Sequence, residues 1–131
     1  MKYEETFYIY IKNNNEKGND FLVKVLGATF EENPRLFVYK NYITKNHYTY
    51  CLSDKETGQL LLVGLTYEDM KKKYFDKGEN AYWLLTTKHF DLYQRKVKAF
   101  KQLLKENLIG EILGVARWKK LLIMIISTLE M

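Results

Sequence analysis

Tyr3-Glu-Glu-Thr-Phe-Tyr-Ile-Tyr-Ile-Lys12 decides the fold class of this chain. On an extended backbone Tyr3, Phe7, Ile9 and Ile11 fall on one side, and Thr6, Tyr8, Tyr10 and Lys12 on the other. Alternation of this period in β-branched and aromatic residues marks a half-buried strand. The Asn-rich stretch 13–20, with Gly18, then reads as a loop, and Phe21, Val23 and Val25 share one side of the strand that returns from it.

The pattern repeats downstream. Asn33-Pro34 marks a turn, because proline pushes the residue before it toward extended geometry. Strands are expected over Arg35–Thr44, His47–Ser53 and Gln59–Leu65, separated by Lys45-Asn46 and by Asp54-Lys-Glu-Thr-Gly58. The second connection is a short polar loop ending in glycine, which suits a type I turn followed by a glycine bulge. Five short strands in succession make an antiparallel meander.

After residue 66 the period changes. Thr66-Tyr-Glu-Asp69 is a capping box with Asp in place of the usual Glu, opening a helix expected to stop at Lys77-Gly78. Residues 81–86 fit either a strand or the first turns of a helix. From about Lys88, Phe90, Tyr93, Val97, Phe100, Leu104 and Leu108 form one apolar helical stripe. Residues 118–129 fit either a buried helix or a central strand. The expected fold class is α+β: an N-terminal antiparallel β-meander of about five strands packed against C-terminal helices. The expected organisation is a single domain over 1–131, with 1–66 mostly β and 67–131 mostly α.

The chain has 131 residues, two histidines and one cysteine. Structural zinc wants four closely spaced Cys or His ligands, so no metal or other cofactor is expected. The acidic pairs Glu4/Glu5, Glu31/Glu32 and Glu68/Asp69 are adjacent in sequence, and adjacent side chains do not face each other on a helix or a strand. His47 and Cys51 would share one strand face, but four strand residues span ~13 Å, too far for a nucleophile and its base. No Gly-x-Gly-x-x-Gly or Gly-Lys-Ser/Thr run offers a phosphate cradle. These observations lead to the expectation of no catalytic residues. The longest purely apolar run, Leu121–Ile126, is far short of the ~20 residues of a membrane span, so no membrane partner is expected. The lone cysteine and the absence of a secretory leader point to a reducing, cytoplasmic location.

Two features remain as candidate partner-binding surfaces. Residues 1–87 carry 12 basic and 12 acidic side chains, whereas 88–131 carry 9 and 4, so the whole net charge of +5 lies in the last third. Lys88, Arg95, Lys98, Lys101 and Lys105 fall opposite the apolar stripe and could follow a phosphate backbone or an acidic protein surface. The plain alternative is a solvated helix face. The other feature is the 11 tyrosines, several of them in expected strands: Tyr8, Tyr10, Tyr39, Tyr42, Tyr48 and Tyr50. Tyr8 and Tyr10 share the more polar face of the first strand, where they could anchor a protein interface or stack bases. Ordinary cross-strand packing is the plain alternative here.

The functional expectation is a small non-enzymatic macromolecule-binding module with a protein partner. Eighteen Lys against three Arg, with the Asn13–Asn15 run, suggest an AT-rich coding sequence. That bias narrows the expectation to an inhibitor or regulator encoded by a phage or mobile element, acting on a host protein such as a nucleic-acid enzyme. The alternatives are a nucleic-acid-binding protein that uses the basic helix face and sheet tyrosines, and an enzyme with an unrecognised site. Because one cysteine closes no loop, the melting temperature should be the same with and without a reducing agent. A fall on reduction, read by circular dichroism, would reveal an intermolecular disulfide.

Overall fold

The computed structural model describes residues 2–13 and 19–113. Five strands, β1 (Glu5–Ile11), β2 (Phe21–Thr29), β3 (Leu36–Thr44), β4 (His47–Asp54) and β5 (Leu60–Gly64), form one antiparallel sheet in the order β1-β2-β3-β4-β5. The helices follow: α1 (Tyr67–Lys73), a π-helical turn (Tyr74–Gly78), α2 (Glu79–Thr86) and α3 (Phe90–Leu113). The meander-plus-helices α+β layout is thus present, and 81–86 is helical. Residues 118–129 lie outside the described residues.

Register sorts the side chains. Phe7 opposes Val25 and Ile9 opposes Val23, while Tyr39 opposes Cys51 in β4. Phe37, Tyr39 and Cys51 are buried on that face, with Phe7, Ile9 and Val25 packed against them. Phe7 and Phe37 stack face to face with ring centroids 4.4 Å apart, although their strands are not neighbours. Flat strands two places apart are separated by about 9.6 Å. The sheet therefore curls toward this face, and the β4–β5 turn swings back to β1, where Tyr10 N–H donates to the Gly58 carbonyl at 2.8 Å.

Gly58 makes that approach feasible. It sits at φ +66°, and a Cβ there would lie 2.9 Å from both the Tyr10 nitrogen and the Tyr8 oxygen. Only glycine accepts this backbone conformation without strain while leaving room for a second strand.

The opposite face carries the main core. Phe30, Leu36, Val38 and Leu52 pack there against Met70 of α1, Tyr74 of the π turn and Tyr82 of α2. Thr66 caps α1 through its hydroxyl, which accepts from Asp69 N–H at 3.0 Å, and Asp69 accepts from Leu65 N–H at 3.1 Å. This reciprocal pair is the capping box in a shifted form, the carboxylate reaching one residue before the cap.

Three expectations need correction. The helix begun at Tyr67 does not stop at Lys77-Gly78: Gly78 is helical, and a Cβ there would meet Leu62 Cδ2 at 2.6 Å. Its glycine serves close packing against β5, not termination. The apolar stripe of α3 buries only its middle, with Tyr93, Val97 and Phe100 covered and both Phe90 and Leu108 exposed. Tyr3 leaves the Phe7–Ile9 face, because the strand and its alternation begin only at Glu5.

Replacing Phe100 with Ala should cost roughly 3–5 kcal/mol, the usual penalty for emptying a buried aromatic site. Lys98→Ala should cost less than about 0.5 kcal/mol, as at most exposed positions. Urea unfolding of both variants checks the phase of α3; equal losses would contradict it.

Candidate functional site

Asp54 ends β4 and is 3% exposed. Its Oδ1 accepts from the Tyr82 hydroxyl of α2 at 2.8 Å, and its Oδ2 from the Tyr93 hydroxyl of α3 and from Thr57 Oγ1, each at 2.8 Å. A buried carboxylate is tolerated only when donors of this kind replace its water. Arg35 lies over the rings of Tyr82 and Tyr93 at 5.1 and 5.8 Å, and its Nη2 donates to the Tyr93 oxygen at 3.3 Å. Tyr93 has one proton to give. Asp54 at 2.8 Å receives it in preference to Glu56 at 3.2 Å. Burial and the Asp54 carboxylate push the Tyr93 phenol up to about 12, against an opposing contribution from Tyr82. The cluster fastens two helices to the end of the sheet, and its donors and acceptors are largely spent on one another.

A more open group lies at the far end of the same sheet face. A strict two-residue turn at Lys45-Asn46 would place Ile43 opposite Tyr48. The ladder instead shifts by one residue between Tyr42 and Thr44, so Tyr42 opposes Tyr48 and Lys40 opposes Tyr50. This bulge expels Ile43 into solvent and gathers the tyrosines. The Tyr42 and Tyr48 ring centroids are 5.0 Å apart, those of Tyr48 and Tyr50 5.5 Å, and those of Tyr50 and Tyr67 6.1 Å. Lys40 Nζ stands 4.9 Å from the rings of both Tyr3 and Tyr48. Hydrogen bonding to Tyr48, followed by burial, raises the Tyr50 phenol to about 12.

Two clefts open on this cluster. One of about 410 Å³ is lined by Tyr3, Val25, Leu26, Lys40 and Tyr42. The other, about 460 Å³, is lined by Tyr3, Glu31, Glu32, Tyr50, Tyr67 and Lys71. Leu26 is 62% exposed, Ile43 61% and Tyr42 58%, which leaves large apolar groups at the surface beside charge.

The residues singled out from the sequence are distributed differently. Lys88, Arg95, Lys98, Lys101 and Lys105 are all exposed, the first just before α3 and the others along it. Tyr8 and Tyr10 are half-buried: Tyr8 pairs across the ladder with Lys24, whose Nζ is 5.9 Å from its ring, and Tyr10 donates to Asp20. That hydrogen bond, above all, raises the Tyr10 phenol to about 12. The basic residues therefore ride on α3, whereas the tyrosine cluster belongs to the β3–β4 hairpin. Tyr3, Tyr67, Lys40 and Leu26 were not singled out, since only folding brings them beside Tyr42, Tyr48 and Tyr50. Cys51 is buried beside Phe37 and Tyr39, and burial pushes its thiol up; His47 is exposed at the other end of the same strand.

No family model matches this chain, and the comparisons with curated proteins and with solved structures found no match.

The Tyr93 phenol gives a pH-dependent prediction. Unfolded, it ionises near 10; folded, it holds its proton to about 12. The native state thus binds more protons across that window, so its contribution is complete below pH 10 and is lost as pH rises through 12. Tyr93→Phe should cost about 1–2 kcal/mol at pH 8, the value of a buried hydrogen bond to a charged acceptor. The variant should also lose less stability than wild type between pH 9 and 12. Parallel denaturation curves at pH 8, 9 and 12 check both.

Proposed function

We propose that this chain is a non-enzymatic macromolecule-binding module that holds a protein partner on the sheet face carrying Leu26 of β2 and Lys40, Tyr42 and Tyr48 of the β3–β4 hairpin. The observation that carries this reading is the bulge at Tyr42/Thr44, which exposes Tyr42 and Ile43 while setting the Tyr42 ring against that of Tyr48 in a tilted contact. Ordered tyrosines make good interface anchors, because they present a large amphipathic area and have little rotamer freedom to lose. Apolar exposure ringed by polar groups is the usual form of a binding surface. The narrower form of the reading is an inhibitor or regulator encoded by a phage or mobile element, acting by occluding a host protein such as a nucleic-acid enzyme. Its support is the Lys-rich, AT-leaning composition.

A second reading has its own observation. Arg95, Lys98, Lys101 and Lys105 are exposed along about 15 Å of α3, with Lys88 exposed just before it, long enough to meet several phosphates of a nucleic acid.

One experiment separates the two. Wild type, Leu26→Asp/Tyr42→Asp and Arg95→Glu/Lys98→Glu/Lys105→Glu are compared as baits in extract of the native host, at low and moderate salt. Circular dichroism confirms that each is folded. The hairpin variant should lose the partner by about thirtyfold, as for one hot-spot aromatic. The helix variant should retain it, with little dependence on salt. Loss confined to the helix variant, with steep salt dependence in wild type, would transfer the function to the basic face.

A further inference from the structure

We propose that the cleft walled by Tyr3, Tyr50 and Tyr67 receives a basic side chain of the protein partner, its cationic head meeting Glu31 and Glu32. The inference rests on the reading above and names the chemistry of the partner. Three phenol rings line the cleft together with two carboxylates, and Lys71 is its one cationic lining residue. Ring faces and carboxylates both attract cations, and both act more strongly once water is excluded.

The same rings already show this affinity within the molecule. Lys40 Nζ lies 4.9 Å from the Tyr3 ring and 6.0 Å from that of Tyr50, while lining the neighbouring cleft and not this one. A partner ammonium or guanidinium would meet Tyr3 and Tyr50 in the adjoining space.

The carboxylate open to an incoming cation is that of the exposed Glu31, with Glu32 behind it. Glu32 Oε1 pairs with Lys71 Nζ at 2.7 Å, whereas Glu32 Oε2 is buried and accepts no hydrogen bond among the described residues. Buried carboxylate oxygens ordinarily have a donor. Glu31 is exposed beside it, and Glu31, Glu32 and Glu68 all act on the Tyr67 phenol, raising it after burial has done so; only Lys71 opposes them. This corner is therefore acidic on a chain whose net charge is +5. A cation drawn here is selected by the cleft against the charge of the whole molecule.

The test uses the full chain, ¹⁵N-labelled, titrated with acetyl-Gly-Arg-Gly-amide and, separately, acetyl-Gly-Glu-Gly-amide. The arginine peptide should shift the amide signals of Tyr3, Glu31, Glu32, Tyr50 and Tyr67, and the glutamate peptide should not. Glu31→Gln/Glu32→Gln should weaken the arginine peptide by about tenfold, the worth of a charge-assisted hydrogen bond. Glu31→Gln alone, at an exposed position that leaves the Glu32–Lys71 pair intact, should weaken it in the same direction. The idea is overturned if the arginine peptide causes no shift in this cleft, or if the double variant binds it as tightly as wild type. Neither result touches the reading above, because Leu26 and Tyr42 do not line this cleft and their variant reports on the partner independently.

Discussion

The buried carboxylate of Asp54 is the constraint around which the rest is arranged. It stands where the sheet ends, and its two oxygens are shared between a tyrosine of α2, a tyrosine of α3 and a threonine of its own turn. An unpaired charge in that position would be untenable, whereas three hydroxyl donors substitute for water. The same contacts fix where the two helices lie relative to β4. The turn that holds Asp54 and Thr57 also carries Gly58, which closes on β1. One buried side chain thus ties together the strand end, both helices and the curl of the sheet.

With helices fastened over one part of the sheet face, the remainder of that face stays uncovered. Phe30, Leu36, Val38 and Leu52 lie beneath α1, the π turn and α2. Tyr50 packs against the edge of that core, and Lys40, Tyr42 and Tyr48 continue the face toward the hairpin tip. The division between core and candidate surface therefore follows from how far the helical layer reaches, and β3 serves both at once. Its buried half anchors the backbone, and its exposed half presents Tyr42, an aromatic group with little freedom left to lose.

Most of the sheet was legible because local rules and tertiary demands agree there. Alternation placed Phe7 and Ile9 on a packed face, Lys45-Asn46 turned the chain, and the glycine closing 54–58 took the positive φ expected of it. The helices were less legible. Gly78 carries the composition of a stop but is glycine because Leu62 needs the space, a fact about a strand 16 positions earlier. Phe90 and Leu108 extend the α3 period beyond the length of sheet available to cover them. The candidate site was the hardest part. Tyr42, Tyr48 and Tyr50 stand out by composition, but their gathering depends on a one-residue bulge with no strong sequence signal, and Tyr3 and Tyr67 join from outside the sheet. Asp54 read only as a turn residue, since its tyrosine partners lie 28 and 39 positions away.

The return of the β4–β5 turn onto β1 bears on how open the outer strands of the sheet are. An outer strand offers its backbone to any other extended chain, and proteins that leave such strands bare are prone to aggregate. Here the Gly58 carbonyl occupies the Tyr10 amide of β1, and on the opposite margin Lys73 Nζ occupies the Val63 carbonyl of β5 at 3.0 Å. Each outer strand thus has a backbone group engaged by the chain's own residues, and at β5 the group that engages it is a lysine of α1, a charge that a second strand arriving there would have to displace. The glycine that allows the sheet to curl thus also removes one backbone donor from the outer edge of β1.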